Sequence, residues 1–183
     1  DSKMALSIAI IAGNGIVGAL TGLKSSAKLA SRESLVSNLT NLTIDGTRVS
    51  RLNLHSDTNR ALSMIDKLVR NASFKNTNLI SSDSPNIRMK TTRFGGGIDI
   101  APQALDTTGL NLSQISLMTS FDANNSAARL ETAINTATRR LNGLEALERA
   151  ITTGDFSSQM LNSLIVGLRG DGLPSGTLVN IIG

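Results

Sequence analysis

Apolar and small side chains recur at alternating spacings of three and four residues through the first thirty positions of the chain. This spacing keeps one stripe of a helix facing a partner, so it predicts a helix over about residues 3–31. A core helix of a bundle and a rod-like coiled coil both fit the stripe. The positions that form this seam are Leu6, Ala9, Gly13, Ile16, Leu20, Leu23, Ala27 and Ala30.

A second, shorter pattern of the same kind begins near Ser56 and Asp57, whose side chains are good caps for a helix N-terminus. It predicts a helix over about residues 56–72. The apolar stripe of this helix consists of Ala61, Ile65, Leu68 and Ala72.

The helical period is lost over about residues 76–117, where short runs alternate between polar and apolar side chains. Residues 86–92 and 97–100 are typical of two strands joined by a glycine-rich turn. Residues 42–44 and 47–49, on either side of an Asp-Gly pair, predict another short hairpin. The chain therefore carries small β segments between its helical blocks.

The last helical pattern predicts a long helix over about residues 124–168. Gly154 interrupts it at a cost of about 1 kcal/mol relative to alanine, so the helix either continues through this glycine or restarts with Asp155 as its cap. We expect one continuous helix, followed by an irregular tail over residues 169–183. The stripe comprises Leu130, Ile134, Ala137, Leu141, Leu144, Phe156, Met160 and Leu164.

The first and last helices carry matching seams and can therefore pair in antiparallel fashion along their length. At 1.5 Å per residue, helices of about 30–45 residues span about 45–68 Å, which exceeds the width of a globular domain of this mass. The sequence predicts a single domain over residues 1–183, mainly α with a small β region. We expect an elongated rod of long antiparallel helices with a patch of β-hairpins and turns.

Composition removes several kinds of chemistry from consideration. The 183 residues include no Cys and a single His, His55, which argues against thiolate sites, disulfides and histidine-rich metal sites. A formal net charge of +4 without Trp or Tyr does not indicate nucleic-acid binding. We find no catalytic constellation, and the apolar start is interpreted as a buried helix segment rather than a membrane anchor. We expect no enzymatic activity, cofactor, metal or membrane insertion.

Two sequence segments are informative beyond their periodicity. Residues 74–80 read Phe-Lys-Asn-Thr-Asn-Leu-Ile, and residues 154–164 read Gly-Asp-Phe-Ser-Ser-Gln-Met-Leu-Asn-Ser-Leu. The first is the end of residues 68–80, which resemble the stretch of bacterial flagellins that ends in a Phe-Asn-Gly-x-Asn-Leu-Leu-type turn. Phe74 and Asn78 match residues of that turn, and Asn76 stands at its glycine position. The second resembles the Gln-Asp-Phe-x-x-x-Met-Ile-Asn-x-Leu signature of the carboxy-terminal rod helix of that family.

Two further segments extend this resemblance in the same order along the chain. Residues 9–31 resemble the amino-terminal rod helix of flagellins, particularly the alphaproteobacterial kind, and residues 97–112 resemble the short β segment of the rod. The resemblance implies a structural subunit of the bacterial flagellar filament that self-assembles through lateral contacts of its rod domain. Its implied partners are copies of itself and other flagellar subunits, with an export chaperone also allowed.

The family resemblance also implies a location and a route of export. Flagellins leave the cell through the flagellar type III channel without a cleaved signal peptide, so the implied location is the extracellular flagellum. The sequence begins on the rod helix and lacks the terminal segments that form the inner tube of the family's filaments. We therefore expect it to polymerise poorly alone.

A second departure from the family pattern falls on the surface that the vertebrate Toll-like flagellin receptor recognises. The family's receptor-binding run, Leu-Gln-Arg-Val-Arg-Glu-Leu-Ala, aligns with residues 20–27 of this sequence. Gly22 replaces the key arginine and Ser26 replaces the second leucine. We expect weak or no activation of the receptor in reporter cells.

Two other functions remain open. A hook–filament junction protein has a similar rod, although the turn at Phe74 and the signature at Phe156 favour flagellin. A secreted or surface-held flagellin-like binding module that does not polymerise would use the rod as a scaffold and the β region or the tail as its contact surface.

Overall fold

The computed structural model of the chain describes residues 2–32, 42–44, 47–90 and 97–154. The described chain is mainly helical with three small antiparallel strand pairs, which confirms the expected fold class of helices with a small β region. In chain order the elements are α1 (Ser2–Ala30), β1 (Leu42–Ile44), β2 (Thr47–Val49), α2 (Arg51–Asn71), β3 (Ser73–Phe74), β4 (Thr77–Asn78), β5 (Ile87–Lys90), β6 (Gly97–Ile100) and α3 (Ser120–Thr153).

The two long helices, α1 and α3, pack against each other in antiparallel fashion. Near the start of α1, the Ser7 hydroxyl donates to the Glu148 carboxylate at 3.1 Å, close to the end of α3. Near the other end of the pair, the Ser120 hydroxyl at the start of α3 donates to the backbone carbonyl of Ser31. The polar contacts at both ends thus fix the relative direction of the two helices.

The core between the helices is formed by the seam residues. All eight seam positions of α1 are buried. On α3, Leu130, Leu141 and Leu144 are buried, and Ile134 is half-buried against the same core. The remaining predicted positions Phe156, Met160 and Leu164 lie outside the described residues.

Helix α2 begins earlier than its sequence indicates. Its N-cap is Ser50, whose hydroxyl accepts a hydrogen bond from the backbone N–H of Asn53 at 3.2 Å, so the predicted start near Ser56 is wrong. Ser56 and Asp57 are good cap types, but they lie inside the helix because Ser50 already satisfies a free N–H of the first turn.

The buried stripe of α2 is also displaced from the predicted one. Ile65 is buried as expected, but Leu68 lies on the solvent side with 41% of its surface exposed. Spacings of three and four residues both preserve a helical stripe, and packing against the rest of the chain selects Val69 in place of Leu68. The buried residues of α2 are Arg51, Thr58, Leu62, Ile65 and Val69.

Helix α3 starts a few residues before the predicted position 124 and ends at Thr153. Its N-cap is Thr119, which accepts from the backbone N–H of Asp122 at 3.0 Å. Gly154 has a φ of 68° and acts as a left-handed C-cap, so the expected continuation of the helix through this glycine is wrong. Glycine takes this conformation without the steric penalty of a Cβ, which makes it a preferred residue for ending a helix. Residues 155–183 lie outside the described residues.

The small β region contains the two predicted hairpins and one that was not predicted. β1 pairs with β2 and β5 with β6, both antiparallel. The third pair, β3 with β4, is joined by Lys75 and Asn76 with φ values of 48° and 65°. Two successive positive φ values are typical of the type I′ turn, which forms the two-residue loop between the strands of a hairpin. The buried residues Met89 and Ile100 anchor the β5–β6 pair to the core.

Candidate assembly surface

Helix α1 has an uncharged face on the side opposite its buried seam. Exposed residues on this face recur at spacings of seven, four, three and four, which places them on one side of the helix. Met4 is 51% exposed and Ile11 is 73% exposed, which are high values for large apolar side chains. We define the outer face of α1 as Met4, Ile8, Ile11, Gly15, Gly18, Gly22, Ser26 and Leu29.

The glycines of this outer face have no packing role in the described chain. A Cβ added at Gly15, Gly18 or Gly22 would meet nothing within 4 Å. Each glycine nevertheless lowers helix stability by about 1 kcal/mol relative to alanine. Because they lack side chains, they form a flat strip on which another surface can approach the backbone of α1 closely.

Gly13, on the buried side of α1, has a different environment. A Cβ at this position would lie 2.8 Å from Cδ1 of Leu141 and 3.2 Å from Cδ1 of Leu105. Gly13 therefore permits the close contact between α1 and α3, whereas the exposed glycines serve no such contact.

Charged residues flank the outer face and do not interrupt it. The charged side chains of α1 are Lys3, Lys24 and Lys28, and the helix contains no acidic residue. Lys24 forms an ion pair with Glu131 of α3 at 3.6 Å. The outer face is therefore free of charge from Met4 to Gly22.

The length and apolar character of α1 raise the question of membrane contact. The segment Lys3–Ala30 is long and apolar enough to cross a membrane, and 33% of its most apolar window is buried inside the protein. The expectation of a buried helix segment thus describes one side of α1 only. A core helix of a soluble protein has the same length and composition, so we infer no membrane insertion from this property.

Two further apolar side chains are exposed near the C-terminal end of α1. Phe121 on the first turn of α3 is 73% exposed, and Leu52 on the first turn of α2 is 43% exposed. The preceding residue of each, Ser120 and Arg51, binds backbone carbonyls at the end of α1. Two exposed apolar side chains therefore belong to turns that are anchored at this end of the helix pair.

The residues of the family-like turn organise the end of α2. The Asn78 side-chain amide donates to the backbone carbonyl of Val69 at 2.7 Å, and its oxygen accepts from the N–H of Ile80 at 3.0 Å. Phe74 is half-buried against the core, with the Lys75 ammonium 5.5 Å from its ring centre. Asn76 supplies one of the two positive φ values of the turn.

These contacts give a measurable expectation for Asn78. We expect Asn78→Ala to lower the free energy of unfolding by about 2 kcal/mol, because it removes two hydrogen bonds, one to the carbonyl of Val69 and one from the backbone N–H of buried Ile80. Urea unfolding followed by far-UV circular dichroism measures this. The control is Asn86→Ala, at an exposed position, for which we expect a change below about 0.5 kcal/mol. Equal losses would contradict the structural role of Asn78.

Acidic side chains near this turn are engaged by neighbouring backbone and hydroxyl groups. The Asp66 carboxylate accepts from the N–H and the hydroxyl of Thr107, both at 2.8 Å. Asp106 accepts from Ser82 and from the N–H of Gly109. Both carboxylates line a cavity of about 180 Å³. Within the described ranges, no group of three or more acidic or histidine side chains is placed to hold a metal ion.

His55 has structural contacts. Its Nδ1 accepts from the backbone N–H of Leu117 at 3.2 Å, and its Nε2 lies 3.0 Å from the side-chain amide of Asn59. The imidazole thus links α2 to the segment that leads into α3.

Gly22 and Ser26 are the two positions at which the sequence departs from the family's receptor-binding run. Both lie on the outer face of α1, where Gly22 is exposed and Ser26 is half-buried. The sequence analysis does not predict this face, because it follows only the apolar stripe that forms the seam. The available signal was the spacing of Met4 and Ile11 with the glycines on the side opposite the seam.

Comparison with protein-family models and with curated proteins finds no match to this chain.

Proposed function

We propose that this protein is a flagellin-like structural subunit of a bacterial flagellar filament, which self-assembles through lateral contacts between rod domains. The observation that carries this proposal is the long antiparallel pair of α1 and α3 with an uncharged, unpacked outer face on α1. The two helices contain 29 and 34 residues. At 1.5 Å per residue they extend over about 43 and 51 Å, which supports an elongated rod.

The chemistry of the outer face suits repeated contacts between identical subunits. An uncharged surface avoids repulsion when one copy lies against the next, and exposed apolar patches commonly mark protein–protein contacts. A contact between this face and a different surface of the neighbour is heterologous, and a heterologous contact that does not close into a ring generates a filament. The exposed pair Phe121 and Leu52 offers such a different surface.

Location and partners follow from the same proposal. The subunit acts outside the cell, in the flagellum, after export without a cleaved signal peptide. Its partners are copies of itself and other flagellar subunits, with an export chaperone before assembly. The proposal assigns no catalytic role and no cofactor. The four segments that resemble flagellin support it, since they occur in the order of the family.

The test is assembly of the full gene product, followed by sedimentation and negative-stain electron microscopy. We expect filaments from the full gene product, in contrast to residues 1–183 alone. For Ile11→Glu in that product we expect at least about a tenfold higher critical concentration, because burying an unpaired carboxylate costs more than about 1.4 kcal/mol. Ile11 is 73% exposed, so the subunit itself should fold normally.

The matched control is Asn135→Glu, which adds the same charge at an exposed position of α3. We expect this variant to assemble at nearly the unchanged concentration. Filaments that tolerate Ile11→Glu as well as Asn135→Glu would contradict the assignment of the contact to the outer face. Stable monomers of the full gene product would contradict the filament proposal and favour a binding module.

A further inference from the structure

The single histidine of the sequence joins two distant parts of the chain. His55 lies on the second turn of α2 and is half-buried. Its Nδ1 accepts a hydrogen bond from the backbone N–H of Leu117 at 3.2 Å, across 62 residues of sequence. Leu117 lies just before α3, and its side chain is fully buried. The imidazole therefore holds α2 to the segment that leads into α3.

The direction of this hydrogen bond fixes the protonation state of the ring. A backbone N–H can only donate, so Nδ1 must present its lone pair, and the imidazole is neutral with its proton on Nε2. Nε2 lies 3.0 Å from the side-chain amide of Asn59. This amide has both a donor and an acceptor, so it can turn to match either form of Nε2. The backbone N–H of Leu117 cannot adapt in this way.

A second proton on the ring removes the acceptor that Leu117 uses. Both nitrogens of an imidazolium are donors, so the N–H of Leu117 would face another N–H. A partly buried backbone N–H without a partner costs at least as much free energy as a lost hydrogen bond. In the described ranges, neither hydrogen bond of His55 is with a carboxylate that would compensate the new charge. Protonation therefore favours any arrangement in which Leu117 has left His55.

The charged groups around the ring keep their own contacts over the same range of pH. Residues 107–119 contain no charged side chain. Arg129 of α3 donates to two carbonyls of this segment, and Arg51 of α2 donates to two carbonyls at the end of α1. Arginine stays charged throughout, so these bonds do not respond to pH. The other charged side chains that the helices carry at this end are Lys28, Arg32, Asp57, Arg60 and Asp122.

We propose that His55 is a pH-sensitive link between α2 and residues 112–119. The neutral imidazole holds the N–H of Leu117, and protonation releases it. Histidine ordinarily changes its charge between about pH 5 and 8, so the link is present at neutral pH and is lost as the pH falls. The opening is local, because the bonds of Arg129 keep the earlier part of the segment attached. The link does not depend on the proposed function.

Amide hydrogen exchange of the unchanged protein, measured by NMR, tests the link. We expect the protection of the Leu117 N–H, relative to its intrinsic exchange rate, to fall at least about tenfold between about pH 7.5 and pH 5. The control in the same spectra is Leu112, whose N–H donates to the carbonyl of Thr107 at 2.8 Å. Its protection should change less than about threefold. Equal protection of Leu117 at both pH values would overturn the proposal, and so would an equal loss at Leu112.

The variant His55→Asn separates the charge of the ring from its role as an acceptor. The asparagine oxygen lies the same number of bonds from the backbone as Nδ1 and accepts at either pH. We expect the protection of Leu117 in this variant to differ less than about threefold between the two pH values. The control Asn59→Ala removes the other contact of the ring and should retain the full pH effect. A loss of protection at acidic pH that is as large in His55→Asn as in the unchanged protein would assign the effect to another group.

Discussion

Replacing Gly13 by valine is expected to lower the free energy of unfolding by about 3 kcal/mol. The Cβ alone would lie 2.8 Å from Cδ1 of Leu141, which is shorter than a van der Waals contact. The methyl groups of valine require still more space at the same place. Overpacking of this kind costs about 1–3 kcal/mol, and here the buried side chains of Leu141 and Leu105 would have to shift. Urea unfolding followed by far-UV circular dichroism measures the loss.

The control for this change is Gly22→Val in the same helix. Gly22 has nothing within 4 Å of an added Cβ, and valine is a somewhat better helix former than glycine. We expect a change of less than about 0.5 kcal/mol, in the stabilising direction. A similar destabilisation by both substitutions would contradict the close α1–α3 contact at Gly13.

The substitution Arg51→Ala should have the second largest effect, a loss of about 3 kcal/mol. The Arg51 side chain is buried, with its Nε donating to the carbonyl of Ala30 at 2.8 Å and its Nη2 to that of Arg32 at 2.7 Å. Its positive charge also lies at the negative end of the α1 dipole. Hydrogen bonds from a charged donor contribute about 1.5–3 kcal/mol each, and alanine removes both of those to the carbonyls at the end of α1.

Arg60→Ala is the matched control, because Arg60 belongs to the same helix and is exposed, with an ion pair to exposed Asp57 at 3.4 Å. Exposed ion pairs contribute about 0–1 kcal/mol, so we expect a small change in the denaturation midpoint. The conservative variant Arg51→Lys should recover part of the stability, since lysine retains the charge without the fork of donors. An Arg51→Ala midpoint equal to that of Arg60→Ala would show that the helix end does not need this contact.

The helical stripes were accessible from the sequence because they depend on local periodicity. Every seam position of α1 is buried, and both predicted hairpins, at residues 42–49 and 86–100, are present. A period of 3.6 residues is a property of the helix itself and needs no knowledge of the partner. The third hairpin was missed because Lys75 is an unusual residue for a positive φ, although Asn76 is a favourable one.

The ends of the helices could not be predicted from the sequence, because more than one nearby residue is suitable as a cap. Ser50, Ser56 and Asp57 are all good N-cap types, and only the backbone geometry at Ser50 selects it. In the same way, Gly154 is compatible with a helix interior or a helix end, and its left-handed conformation identifies it as an end.

By itself the sequence determined that the chain forms long helices with apolar seams, because hydrophobic spacing expresses a local geometry. The seam spacing already placed Gly13, and not Gly22, on the buried stripe. Only the tertiary structure showed that a Cβ at Gly13 would meet Leu141 whereas one at Gly22 would meet nothing within 4 Å, because the space around a glycine depends on its neighbours. It also decided that Leu68 is exposed and that Arg51 binds the end of α1, since both depend on residues distant in sequence.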